Sequence, residues 1–207
     1  IMVGIVDYGM GNLLSVYNAF NYLGEDVKIC KVPEDLEDTD HIVIPGVGAF
    51  KDCINLISEN GFINKLHEHV INKGKPTLGI CLGMQVMAKK GYEFGVHDGL
   101  GWFDSEVKKI DVINTDLKLP NIGWNEINKT YDHPLFDGIS NMTDFYLVHS
   151  YFMECNNQSD ILATYQYGQN NITAAVIKDN IFATQFHPEK SQDSGLKLLS
   201  NFIKWNP

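Results

Sequence analysis

The chain has 207 residues, 44% hydrophobic and 20% charged, which suits one soluble α/β domain with a single core. A formal net charge of −10 leaves no basic footprint for a nucleic acid. Four scattered cysteines (Cys30, Cys53, Cys81, Cys155) with no C-x-x-C pair argue against a zinc cluster or disulfide framework and for a reducing cytosol, and no run has the length of a membrane span or the pattern of a signal peptide.

Val3 to Val6 predict a short apolar strand, closed by Asp7-Tyr8-Gly9-Met10-Gly11-Asn12. A helix follows from about Leu13 to Leu23, with Gly24 as its stop signal. Gly9-x-Gly11 is not a dinucleotide fingerprint, because Leu14 stands where the third glycine is needed; it reads as a tight turn. Val27 to Lys31 and His41 to Ile44 are the next strands, the latter running into Pro45-Gly46-Val47-Gly48-Ala49-Phe50. Helical spacing covers Phe50 to Ile57 and Phe62 to Asn72. His67 and His69 lie two apart in that helix, hence on different faces, which argues against a metal site. Thr77 to Ile80 form a buried strand, and Leu82 to Lys90 carry helix formers with apolar spacing.

This alternation predicts a largely parallel central sheet with helices on both faces. After Gly91 the rhythm changes. Gly95 to Ile127 read as strands and loops, and Phe145–Phe152, Ile161–Tyr167, Thr173–Ile177 and Ile181–Phe186 as strands, antiparallel in part, with a hairpin turn at Asp179-Asn180. A last helix runs from about Ser191 to Trp205. No linker, repeat or low-complexity tract divides the chain, so residues 1–207 are expected to be one domain.

Chemistry concentrates at Gly79-Ile80-Cys81-Leu82-Gly83, a nucleophile-elbow pattern with sulfur in place of oxygen. The sharp strand-to-helix turn lifts Cys81 out of the sheet, and the helix start offers free N–H groups to a thiolate and to a developing oxyanion. A cysteine nucleophile needs a base, and the base an orienting group. Gln185-Phe186-His187-Pro188-Glu189-Lys190-Ser191 follows a late apolar strand, so His187 lies on the rim where α/β sites form. Glu189 is close enough to accept a hydrogen bond from the imidazole. Either residue alone reads as an ordinary surface group; with the elbow they read as a Cys81–His187–Glu189 triad. The Leu82 N–H is one oxyanion donor, and Pro45-Gly46-Val47-Gly48 is the place for a second.

These residues resemble the class I glutamine amidotransferases. Gly79-Ile80-Cys81-Leu82-Gly83-Met84-Gln85 and His187-Pro188-Glu189-Lys190-Ser191 carry the resemblance. Asp7-Tyr8-Gly9-Met10-Gly11-Asn12-Leu13, Pro45-Gly46-Val47-Gly48, Gly123-Trp124-Asn125 and Tyr146-Leu147-Val148-His149-Ser150-Tyr151 are similar to one branch, the glutaminase subunits of imidazole glycerol phosphate synthases. The resemblance runs essentially end to end.

It implies that the Cys81 thiolate attacks the side-chain amide of glutamine, that His187 protonates the departing ammonia, and that water then releases glutamate. Gly48, Gln85, Ser150 and Tyr151 match positions that hold glutamine. The Val47 amide matches the second oxyanion donor, which requires a peptide flip; a turn with the Val47 carbonyl inward at rest would act as a lock. Ammonia would pass to a (β/α)8-barrel cyclase partner that makes imidazole glycerol phosphate and an aminoimidazole carboxamide ribotide. Asn12, Trp124, Tyr146 and Lys190 match positions at or near that interface. No cofactor or metal is implied. Three alternatives stay open: a paralogue supplying ammonia for a surface-polysaccharide sugar precursor, a stand-alone thiol hydrolase, and an inactive regulatory subunit.

Overall fold

A computed structural model describes residues 1–207. Strand β1 (Met2–Val6) leads through the Asp7–Asn12 turn into helix α1 (Leu13–Tyr22). Strands β2 (Asp26–Cys30) and β3 (His41–Ile44) follow. Helix α2 (Phe50–Glu59) precedes α3 (Phe62–Leu66), which widens into a π-helical turn over His67–Asn72. Strand β4 (Thr77–Ile80) ends at Cys81 and turns directly into α4 (Leu82–Gln85). The second half supplies β5 (Ala88–Gly91), β6 (His97–Asp98), β7 (Phe103–Lys109), β8 (Asn121–Lys129) and β9 (Thr143–His149). It ends with β10 (Tyr151–Cys155), β11 (Ile161–Tyr167), β12 (Asn170–Lys178), β13 (Ile181–Thr184) and helix α5 (Gln192–Lys204).

Nine strands form the central sheet in the order β2-β1-β3-β4-β13-β12-β11-β8-β9. The half from β2 to β13 is parallel. The half from β13 to β9 is antiparallel. The expected sheet is therefore present, but its antiparallel half is as wide as its parallel half. The β12–β13 hairpin turns at Asp179-Asn180 as expected. Asp179 takes a φ of 52°, and the Asn180 side chain donates to the Val70 and Lys75 carbonyls.

The pleat sorts side chains between two cores. Ile5, Val43, Leu78 and Ile80 pack with Phe20 of α1 and with Leu198 and Phe202 of α5. Val6, Ile42 and Ile44 face the other way, onto Phe50, Cys53 and Ile57 of α2 and Phe62 of α3. This second face is extended by a separate four-stranded sheet, ordered β10-β7-β5-β6, whose Phe103, Val107 and Met153 join the same core.

That small sheet corrects two sequence expectations. The helix expected over Leu82–Lys90 stops at Gln85. The Val86, Met87 and Ala88 carbonyls, which a longer helix would use internally, instead accept from the backbone N–H groups of Leu100, Trp102 and Gly101. The single strand expected over Phe145–Phe152 is two strands. The chain leaves the large sheet after His149 and enters the small one at Tyr151, with Ser150 at the crossing.

Candidate active site

Cys81 sits where β4, paired with β3 on one side and β13 on the other, meets α4. Its backbone adopts φ 55° and ψ −112°, which non-glycine residues take up only at a cost of about 1–3 kcal/mol. Two requirements impose this conformation. The Cys81 N–H still continues the ladder, donating to the Thr184 carbonyl at 2.8 Å, while the next residue is already helical. The flanking glycines allow the close approach: a Cβ on Gly83 would lie 1.9 Å from the Ile44 carbonyl oxygen, and one on Gly79 would lie 2.9 Å from the Gly83 oxygen. The obstacle at Gly83 is backbone and cannot swing aside. Gly83→Ala is therefore expected to destabilise the fold by about 3 kcal/mol or more, at the upper end for overpacking. Urea unfolding checks this; a loss below about 0.5 kcal/mol, as at an ordinary surface position, would contradict it.

His187 arrives from β13, which runs parallel beside β4. Its N–H donates to the Tyr146 carbonyl at 2.9 Å. Ser191 clamps the same segment: its Oγ donates to the His187 carbonyl at 2.6 Å and accepts from the Tyr146 N–H at 3.0 Å. His187 Nδ1 lies 3.1 Å from Glu189 Oε2, with both side chains buried. A carboxylate only accepts, so Nδ1 carries the proton and Nε2 is turned to the chemistry. Nε2 is buried without an aligned hydrogen-bond partner, yet the Cys81 sulfur is near enough to act on its ionisation. Burial opposes the imidazolium, but contact with Cys81 and then Glu189 outweighs it and raises His187 to about 10. The pair therefore stabilises the fold fully below the ordinary imidazole value and loses that contribution as pH rises towards 10.

The turn expected to complete an oxyanion hole is in a closed state. The Leu82 N–H, the expected first donor, is taken by the Gly46 carbonyl at 3.3 Å. C=O and N–H of one peptide point in opposite directions. With the Gly46 carbonyl turned to Leu82, the Val47 N–H of that same peptide is turned away. This corrects the sequence expectation in one detail: the inward carbonyl belongs to Gly46, not to Val47. The adjoining peptide is anchored, because the Tyr8 hydroxyl donates to the Pro45 carbonyl and accepts from the Cys53 thiol. A turn of the Gly46–Val47 peptide therefore leaves the peptide before it in place.

A cavity of about 180 Å³ opens beside Cys81, lined by Val47, Gly48, Leu82, Gln85, Glu93 and Val148–Tyr151. This is below the roughly 300–1,000 Å³ of drug-sized sites and fits a ligand of amino-acid size. Larger grooves, such as one of about 590 Å³ between α2, α3 and residues 96–102, do not reach Cys81. All four residues expected to hold glutamine line the small cavity. Gln85 is otherwise engaged, its Nε2 donating to the Tyr151 carbonyl at 2.9 Å and to Gln185 Oε1 at 3.0 Å. Sequence reasoning missed Glu93, which lies in a loop with no motif around it. Burial raises its carboxyl, and the Phe50 N–H works against that shift. It is the only carboxylate lining the cavity.

Of the expected interface positions, Trp124 is half exposed and packs edge-on against Tyr146 with ring centres 6.0 Å apart; Tyr146 lies 6.5 Å from the His187 ring. Lys190 is exposed beside the triad, and Asn12 directly precedes α1, its side-chain oxygen accepting from the Ser15 hydroxyl. On the other side of the molecule Glu37, Glu68 and His69 cluster, but the Lys65 and Lys73 ammonium groups already hold both carboxylates.

A cysteine at a strained strand–helix elbow, a histidine hydrogen-bonded to a glutamate, and a Gly-rich turn beside them are the parts that a thiol amidohydrolase needs. The chain belongs to the class-I glutamine amidotransferase family, whose family model matches residues 4–205. It is 48% identical to "Imidazole glycerol phosphate synthase subunit HisH 1" of Campylobacter jejuni strain RM1221, covering 98% of this chain and 100% of that relative. It is 43% identical to "Imidazole glycerol phosphate synthase subunit HisH 2" of Nitrobacter winogradskyi, covering 99% of each chain. Among solved structures it resembles PurLQS from Thermotoga maritima, with a TM-score of 0.76, 16% identity, and 98% and 97% of the two chains covered. The glutaminase domain of Trypanosoma brucei CTPS gives a TM-score of 0.63 and 16% identity over 100% and 95% of the chains. These two likenesses concern the fold alone.

Proposed function

We propose that this chain is the glutaminase subunit of an imidazole glycerol phosphate synthase, acting as one domain in the cytosol. The reading rests on the Cys81–His187–Glu189 arrangement beside a cavity of amino-acid size. The full-length likeness to subunits named for that synthase favours this acceptor over a polysaccharide precursor. No helix is long and apolar enough to cross a membrane.

In this mechanism the Cys81 sulfur attacks the side-chain carbonyl carbon of glutamine, and the oxygen develops charge towards Leu82 and, after the flip, Val47. His187 gives its Nε2 proton to the departing nitrogen, so ammonia leaves and a thioester remains. Water then attacks the thioester, its proton passes to His187, and glutamate departs. Glu93 faces the α-ammonium of glutamine, and Gly48, Ser150 and Tyr151 contact its backbone end. Ammonia passes to the (β/α)8-barrel cyclase across the rim that bears Asn12, Trp124, Tyr146 and Lys190.

The experiment is glutamate release by the purified chain with its cyclase, before and after alkylation of Cys81. Loss of release with retained cyclase binding supports the reading; full activity of the alkylated complex contradicts it. Glu189 orients the imidazole rather than exchanging protons, so Glu189→Gln should lower turnover by about tenfold or more without loss of cyclase binding. Wild-type turnover across the pH range in that variant would reduce the triad to a Cys81–His187 dyad.

A further inference from the structure

Gln185 is two residues before His187 and completely buried. The proposed mechanism leaves it without a task, yet its side chain reaches the nucleophile: Gln185 Nε2 lies 3.6 Å from Cys81 Sγ. Which end of the amide faces the sulfur follows from its neighbours. The Tyr151 carbonyl can only accept, so the Gln85 group 2.9 Å from it is the NH₂. That NH₂ gives its second proton to Gln185, 3.0 Å away, which must therefore present its oxygen there. The remaining end of Gln185, the NH₂, is left pointing at Cys81. Reversing either amide would set two acceptors or two donors against each other.

The chain of partners continues outward. His149 Nδ1 lies 2.7 Å from the same Tyr151 carbonyl and must donate to it. His149 Nε2 then accepts from the Tyr165 hydroxyl at 2.6 Å, and the Tyr165 oxygen accepts from Asn121 at 3.3 Å. Burial holds His149 neutral, lowering it to about 4, which this tautomer requires. The amide of Gln185 is thus aimed by a fixed network rather than by its own rotamer preference.

We infer that Gln185 is a catalytic residue that donates a hydrogen bond to the Cys81 sulfur and stabilises it as the thiolate. A hydrogen bond to an ionised acceptor is stronger than one to its neutral form, so the donor favours the thiolate over the thiol. The donor acts twice. It holds the sulfur anionic before attack on glutamine. When water has added to the thioester and the carbon–sulfur bond breaks, the electron pair returns to sulfur, and the same N–H receives the charge.

This rests on Cys81 being the nucleophile, and the two readings fail separately. Gln185→Met keeps the volume and removes the donor. In the Gln185→Met complex with the cyclase, Cys81 should be alkylated by iodoacetamide at pH 7 roughly 10- to 100-fold more slowly, with kcat falling by a similar factor. Gln185→Glu, which sets a carboxylate against the sulfur, should be slower still. A variant with unchanged alkylation and only a raised KM would show that Gln185 merely shapes the pocket, and would overturn the inference while leaving the nucleophile intact. Retained glutaminase activity in Cys81→Ala would instead sink the nucleophile reading. Should both Gln185 variants fail to fold, the wild-type chain decides. Its Gln185 side-chain amide protons should move in the NMR spectrum when Cys81 is alkylated; unmoved resonances would overturn the inference.

Discussion

Replacing Cys81 by alanine should abolish glutamine hydrolysis, by about 10³-fold or more, as removal of a triad nucleophile does elsewhere. The same variant, bound to its cyclase, should still make product from added ammonium salts, because that route bypasses the thiol. The fold should tolerate the change. Cys81 holds its strained backbone through the Cys81–Thr184 ladder bond and the close packing of Gly79 and Gly83, none of which uses the sulfur. The variant therefore separates ammonia production from ammonia use. The check is paired: glutamate release and ammonia-dependent synthesis in one preparation. Normal glutamate release would remove Cys81 from the mechanism. Loss of both activities would mean that the substitution damages the interface and does not isolate the chemistry.

The second large effect concerns control. The isolated chain should be a poor glutaminase although Cys81, His187 and Glu189 are assembled, because the Gly46 carbonyl occupies the Leu82 donor. One oxyanion donor is worth roughly 2.7–4 kcal/mol, about 10²–10³ in rate. Turning the Gly46–Val47 peptide frees the Leu82 N–H and adds that of Val47, so the gain is at least of this size. The closed state requires glycine at position 46, since a Cβ there would lie 2.6 Å from the Tyr8 hydroxyl and 2.9 Å from the Gly83 nitrogen. A bias of a few kcal/mol between the two orientations is within what partner docking and acceptor binding supply. Glutamate release should rise by about 10²-fold or more when the cyclase and its nucleotide ligand are both present. Equal rates for the chain alone, with cyclase, and with cyclase plus ligand would contradict this.

What the sequence made legible follows the range of each interaction. His41–Ile44 and Thr77–Ile80 are strands over the expected residues, because a parallel strand buried on both faces must be apolar throughout. Cys81 and His187 were visible because the elbow and the His-Pro-Glu run are local patterns. The early end of α4 was not, since what competes for its carbonyls is a segment more than ten residues away. Glu93 and Gln185 were missed for a related reason. Glu93 gains meaning from the cavity it lines. Gln185 gains it from Gln85, one hundred positions earlier in the chain. The state of the oxyanion turn depends on a single peptide orientation that glycine leaves open in both directions.

The inward Gly46 carbonyl can also be regarded as a tethered competitor. In the proposed mechanism it fills the place of the substrate's oxygen at an effective concentration set by its attachment to the chain, which a dissolved ligand aimed at that place must overcome. Ligands then divide by what they ask of that place. A glutamine analogue that uses only the amino-acid end of the cavity binds irrespective of the turn. A tetrahedral analogue carrying an oxyanion must first evict Gly46, and its apparent affinity is scaled by the fraction of molecules already turned. The change in the ratio of the two affinities from the chain alone to the complex therefore tracks the change in the open population, without any turnover taking place.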